Sequence, residues 1–118
     1  PLKFFDKDPM VFQKFERAAF YKTLLALRQR NNALAADASF RKLSVGDDKT
    51  VYAFVREKGK SKVLVILNFS ANAQSITLSD PSVTGTVLNV FTNKKERLDT
   101  KPRTVNPWSY AVYEYGGK

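Results

Sequence analysis

The chain has 118 residues, enough for one domain that buries about two thirds of the surface its unfolded form exposes. Hydrophobic residues make up 43% and charged residues 26%, values of a folded protein rather than a disordered one. Lys+Arg number 20 against 11 Asp+Glu, for a net charge of +9, and cysteine and histidine are both absent. Disulfides, thiolate chemistry, a Ser-His-Asp triad and a histidine-ligated zinc are therefore excluded on this chain alone.

No run approaches the roughly 20 apolar residues of a membrane helix, and no basic-then-apolar signal peptide opens the chain. It begins on Pro1 without an initiator Met, which leads us to expect a piece of a longer polypeptide. Asp8-Pro9 is a helix start, because Asp8 can accept from the first free N–H groups and Pro9 suits the first helical position. The spacing predicts one long helix from about Pro9 to Asn31, with Arg28 and Arg30 in its last turns, where cations favour the dipole. At about 100° per residue, Phe12, Phe15, Ala19 and Ala26 fall on one arc and Phe20, Leu24 and Leu27 on another. A surface helix shows one apolar stripe; two imply a helix held between two layers.

After Asn32 the period changes to two. Strands are expected over 40–45, 51–57, 62–70, 74–80, 86–92, 96–100 and 109–115, with turns at 46–50, 58–61, 80–85 and 93–95. The stretch 62–70 is apolar on both alternating sets, as in a central strand covered on both faces. Ile76 and Leu78 are expected inward, and 96–100 is expected at an edge, blunted by charge. About seven or eight short strands at this spacing predict a mainly β fold: an antiparallel sandwich of Greek-key type over 35–118, preceded by the helix of 1–34.

Groups for chemistry are few. Asp47 and Asp48 are adjacent in a turn, where they cap backbone N–H groups. Glu57 and Glu96 lie beside lysines and read as surface pairs, and Glu114 reads as solvent-facing. The glycines are scattered at 46, 59, 85, 116 and 117, so no phosphate loop exists. No catalytic, metal or cofactor site is expected on this chain. The basic clusters at 56–62 and 93–103 contain acids and fall in hairpin loops, unlike the cation-and-aromatic surface of an oligonucleotide-binding barrel, which ranks last among the readings. Trp108, Tyr110 and Tyr113, with Tyr115 beside them, are the aromatics that could stack on sugar rings.

The pattern Phe20-Tyr21-x-x-Leu24-x-x-Leu27-Arg28-x-x-Asn31-x-x-Leu34 resembles the last barrel helix of the alpha-amylase family of glycoside hydrolases. Val51-x-Ala53-Phe54-x-Arg56 and Val63-x-Val65-x-Leu67-Asn68-Phe69-Ser70 are similar to early strands of the β-sandwich that follows it in that family. The ending at 105–115 is similar to its closing strand. The resemblance spans about 9–116. It implies that Phe12, Phe15, Phe20, Leu24 and Leu27 form a helix between a (β/α)8 barrel and the sandwich. It also implies that the family's catalytic Asp and Glu residues lie upstream of Pro1, so none maps onto this chain. A non-catalytic C-terminal domain that stabilises the barrel of an enzyme acting on α-glucans is the expectation, with an α-glucan-binding module as the alternative. The expected partner is the barrel of its own parent chain. An α-glucan and a second copy of the fragment, paired through the helix, are the other candidates. Nucleic acid and membrane are not expected partners.

Overall fold

Strong alternation of β-branched and aromatic residues builds short strands that bury one or both faces. The computed structural model describes residues 26, 27, 29, 31, 33 and 37–116. Among them the elements in chain order are β1 (Ser39–Leu43), β2 (Val51–Lys58), β3 (Ser61–Asn68), β4 (Gln74–Ile76), a 3-10 turn (Pro81–Val83), β5 (Gly85–Asn89), β6 (Lys94–Leu98), β7 (Arg103–Val105) and β8 (Tyr110–Tyr115). Six strands form one antiparallel sheet in the order β1-β2-β3-β8-β5-β6, and β4 pairs with β7 in a second, two-stranded sheet. The chain leaves the large sheet after β3 and returns at its far side as β5 and β6. It comes back last as β8, which fills the gap between β3 and β5.

The expected central strand is β3. Leu64 and Ile66 point into an inner core with Val51, Ala53, Val55, Ile76, Leu78, Val87 and Leu98. Val63, Val65 and Leu67 point the other way, into an outer cluster with Phe54 and Val112. The inner core joins both sheets, since Ile76 of β4 and Val105 of β7 pack into it. Ile76 and Leu78 are inward as expected, and β6 is an edge strand as expected.

Several boundaries move for local reasons. The strand expected over 86–92 stops at Asn89, because the Asn89 side chain accepts from the N–H groups of Phe91 (3.0 Å) and Thr92 (3.1 Å) and closes a turn there. Asn93 takes a φ of 60°, and β6 then begins at Lys94, two residues earlier than expected. The strand expected over 74–80 is regular only to Ile76. β7 lies between Pro102 and Pro107, whose turn chemistry hid it. The β2–β3 hairpin turns at Gly59 (φ 61°), where a side chain would be disfavoured.

The long helix expected over 9–31, with Phe12, Phe15, Phe20 and Leu24, lies almost wholly outside the described residues, and among those described there is no long helix. The pairing of two fragments through it lies outside them too. Of the interface residues expected there, Leu27 is described. It is fully buried, and its carbonyl accepts from Asn31 N–H at 2.9 Å.

Asp80 caps the 3-10 turn by accepting from Ser82 N–H at 2.9 Å, and Arg41 lies against its second oxygen. The bonds from Ser82, with Arg41 adding to them, hold its pKa down to about 2. A carboxylate depressed in the fold contributes stability above its unfolded pKa and loses it as pH falls through the folded one. Acid titration of stability between about pH 4 and the folded value of about 2 should therefore be shallower in Asp80→Asn than in the wild type. Equal slopes would show that the cap contributes nothing.

Candidate functional site

The outer face of the large sheet is built by register. Phe40, Arg56, Val63 and Glu114 stand in one row across β1, β2, β3 and β8. Lys42, Phe54, Val65 and Val112 form the next, and Tyr52, Leu67 and Tyr110 the third. Phe54 lies at the centre, stacked on Phe40 at 5.1 Å and tilted against Tyr52 at 5.6 Å. An apolar second face on a sheet whose first face is already buried needs a second covering layer.

Part of that layer is described. Leu27 and Ala33, both fully buried, pack on this face. Between them Asn31 is buried and ties the segment to the sheet: its Nδ2 donates to Glu114 Oε2 at 2.8 Å, and its Oδ1 accepts from Ala33 N–H at 2.8 Å. Glu114 is thus not the solvent-facing residue the sequence suggested. Alternation along β8 puts Tyr113 and Tyr115 in the inner core, so Glu114 must stand on the outer face, and that face is itself covered. Arg56, also buried, donates from Nη2 to the Ala38 carbonyl at 3.5 Å.

The aromatic candidates are split by the same alternation. Tyr110 is on the outer face, against Phe91 at 4.8 Å. Tyr113 is buried in the inner core, and burial pushes its phenol pKa up. Tyr115 donates to the Val83 carbonyl at 2.5 Å, and burial pushes its pKa far above the usual range. Trp108 lies in the turn before β8, 41% exposed and at a φ of 52°. The three residues singled out for sugar stacking therefore do not share one surface. Of the acids, Asp47 caps Lys49 N–H at 2.9 Å as expected, and Glu96 sits 3.7 Å from Arg103. Among the described residues no group of three or more Asp or Glu could hold a metal ion.

Sequence reasoning missed Asn68 as an organising residue. It ends β3 with no exposed surface. Its Nδ2 donates to the carbonyls of Asn72, Val105 and Asn106, each at 3.0 Å, and its Oδ1 accepts from Ser70 N–H and Oγ, both at 3.0 Å. The signal was an Asn closing an otherwise apolar strand, which needs partners if it is buried.

These features define an antiparallel β-sandwich domain with a second apolar face and no convergent catalytic groups among its described residues. The chain belongs to the family of the alpha-amylase SusG C-terminal domain, whose model matches residues 51–112. No curated protein sequence matches it. Among solved structures it is similar to the trehalulose synthase MutB from Pseudomonas mesoacidophila, with 25% identity and a TM-score of 0.59 over 81% of this chain and 17% of that one. It is similar to the noncanonic maltogenic alpha-amylase AmyB from Thermotoga neapolitana, with 17% identity and a TM-score of 0.68 over 85% of this chain and 25% of that one. An Anoxybacillus alpha-amylase shares 18% identity at a TM-score of 0.63, over 78% of this chain and 20% of that one. The last two show likeness of fold. This chain spans a quarter or less of each of these enzymes.

Proposed function

We propose that the chain is the non-catalytic C-terminal domain of an alpha-amylase-family glycoside hydrolase acting on α-glucans, and that it stabilises the catalytic barrel. The observation that carries this reading is the outer sheet face, where Leu27, Asn31 and Ala33 are seated through the Asn31–Glu114 bond. The segment that ends in these residues joins the sandwich to whatever precedes it. A barrel packed on its other side would be held in place by the same contact. One of the similar structures is consistent with an α-glucan substrate for the parent: AmyB is a maltogenic alpha-amylase.

The test uses the chain alone and the longer enzyme. The chain alone should release no reducing sugar from starch. In the enzyme, Glu114→Ala removes a charged acceptor worth about 1.5–3 kcal/mol. The melting-temperature shift per kcal/mol shrinks as proteins grow, so a drop of a few degrees is expected in the longer enzyme. The barrel should therefore lose activity at lower temperature in the variant, with its kinetics unchanged in the cold. An unchanged inactivation temperature, or turnover by the chain alone, would overturn the proposal.

A further inference from the structure

β8 holds the large sheet together from its middle. In the order β1-β2-β3-β8-β5-β6 it is, among the described residues, the one hydrogen-bonded link between the first three strands and the β5–β6 hairpin. Residues 110–114 pair with 63–67 on one side, and 113–115 pair with 87–89 on the other. β8 is also the last described strand along the chain, so no later described strand pins it in place.

The slot that β8 fills is particular about its occupant. With β8 drawn out, β3 and β5 become two open edges that face each other across the gap. A strand entering there must place an acid opposite Val63, to accept from Asn31 Nδ2. The next residue must donate a hydroxyl to the Val83 carbonyl, as Tyr115 does. It must also send Val112 and Tyr113, or their equivalents, into opposite cores. The β8 sequence meets these demands together, so the occupant that fits besides the chain's own β8 is the β8 of a second copy.

The loop leading into β8 is under strain. Over residues 106–109 the chain turns with Trp108 at a φ of 52°, a left-handed conformation that is costly for a bulky side chain. Local bonds hold this turn shut: Ser109 Oγ donates to the Asn106 carbonyl at 2.6 Å, and Trp108 N–H donates to the Ser70 carbonyl at 3.2 Å. The strain belongs to the closed turn. A short, strained connection favours exchange of the element beyond it, because opening relieves the strain while that element remakes its contacts on the partner.

We infer that this chain forms a strand-exchanged dimer, in which β8 of each copy enters between β3 and β5 of the other. Residues 106–109 run extended between the two copies and serve as the hinge. The dimer does not depend on the barrel-stabilising role, which is read from Glu114→Ala in the longer enzyme.

The test unfolds the full chain in urea and refolds it at high protein concentration, with salt to screen the net charge of +9. Size exclusion with light scattering should show a dimer whose share grows with the concentration at refolding. Val65→Cys combined with Val112→Cys puts cysteines on paired residues of β3 and β8, in a chain with no other cysteine. Opposed residues of neighbouring strands lie roughly 5 Å apart between Cα atoms, which suits a disulfide. Once oxidised, the dimer should stay covalent on a denaturing gel, and neither single-cysteine variant should give that band. Trp108→Gly, which takes a positive φ without steric cost, should lower the dimer association constant at least about tenfold, since each dimer opens two hinges. Ser109→Ala, which loses the bond closing the turn, should raise it. Absence of a dimer overturns the inference, and so does a dimer that falls apart on the gel with each chain closed by its own disulfide. A missing shift in either hinge variant overturns the turn at 106–109 as the seat of the exchange.

Discussion

Phe54→Ala is expected to destabilise the domain by about 3–5 kcal/mol, the cost of removing a large aromatic from a packed core. A domain of this kind is stable by only roughly 5–15 kcal/mol, so the urea midpoint should fall by a large fraction of its value. Phe54 is fully buried and its ring contacts Phe40 and Tyr52, so the void cannot be closed by solvent-side relaxation alone. Lys60→Ala, in the exposed hairpin turn, is the control and should shift the midpoint hardly at all. If both variants unfold at the same denaturant concentration, the outer cluster is not a core and the seat for Leu27 and Ala33 is lost with it.

Asn68 carries the second large effect. Asn68→Ala removes the donor shared by three carbonyls and the acceptor for Ser70. With each buried group left unsatisfied costing about 1–3 kcal/mol, a loss of about 3 kcal/mol or more is expected. Asn68→Asp is the sharper variant. Its carboxylate would face three carbonyl oxygens in a dry site, which raises its pKa in the fold. Protonated in both states, it is tolerated below its unfolded pKa of about 4. As pH rises from there through the raised folded value, stability is lost. The variant should therefore be nearest to wild type in mild acid and furthest from it at neutral pH. A pH-independent deficit would mean that water reaches the site and solvates the new charge.

The two residues mark separate halves of the domain. Phe54 belongs to the face that receives Leu27 and Ala33, while Asn68 fastens the loop after β3 to the one before β8.

What the sequence determined by itself was local. Alternation over 51–57 and the doubly apolar run around Val65 specify strands, because side-chain direction in a strand follows from the backbone alone. The doubly apolar run even announced a second covered face. The edge position of β6 was legible from its charges, and Gly59 from the turn it makes. What only the tertiary structure decided was non-local. That β8 enters between β3 and β5 depends on pairing across distant parts of the chain, and no spacing rule encodes it. That order places Glu114 against Asn31, 83 residues away, and turns an apparent surface acid into a tether. Alternation along β8 by itself puts Tyr110 and Tyr113 on opposite faces; that both of those faces are covered is a property of the packing. β7 and the role of Asn68 were hidden for the same reason: a three-residue strand has too little periodicity to read, and the worth of a buried amide depends on carbonyls brought to it by loops folded from elsewhere.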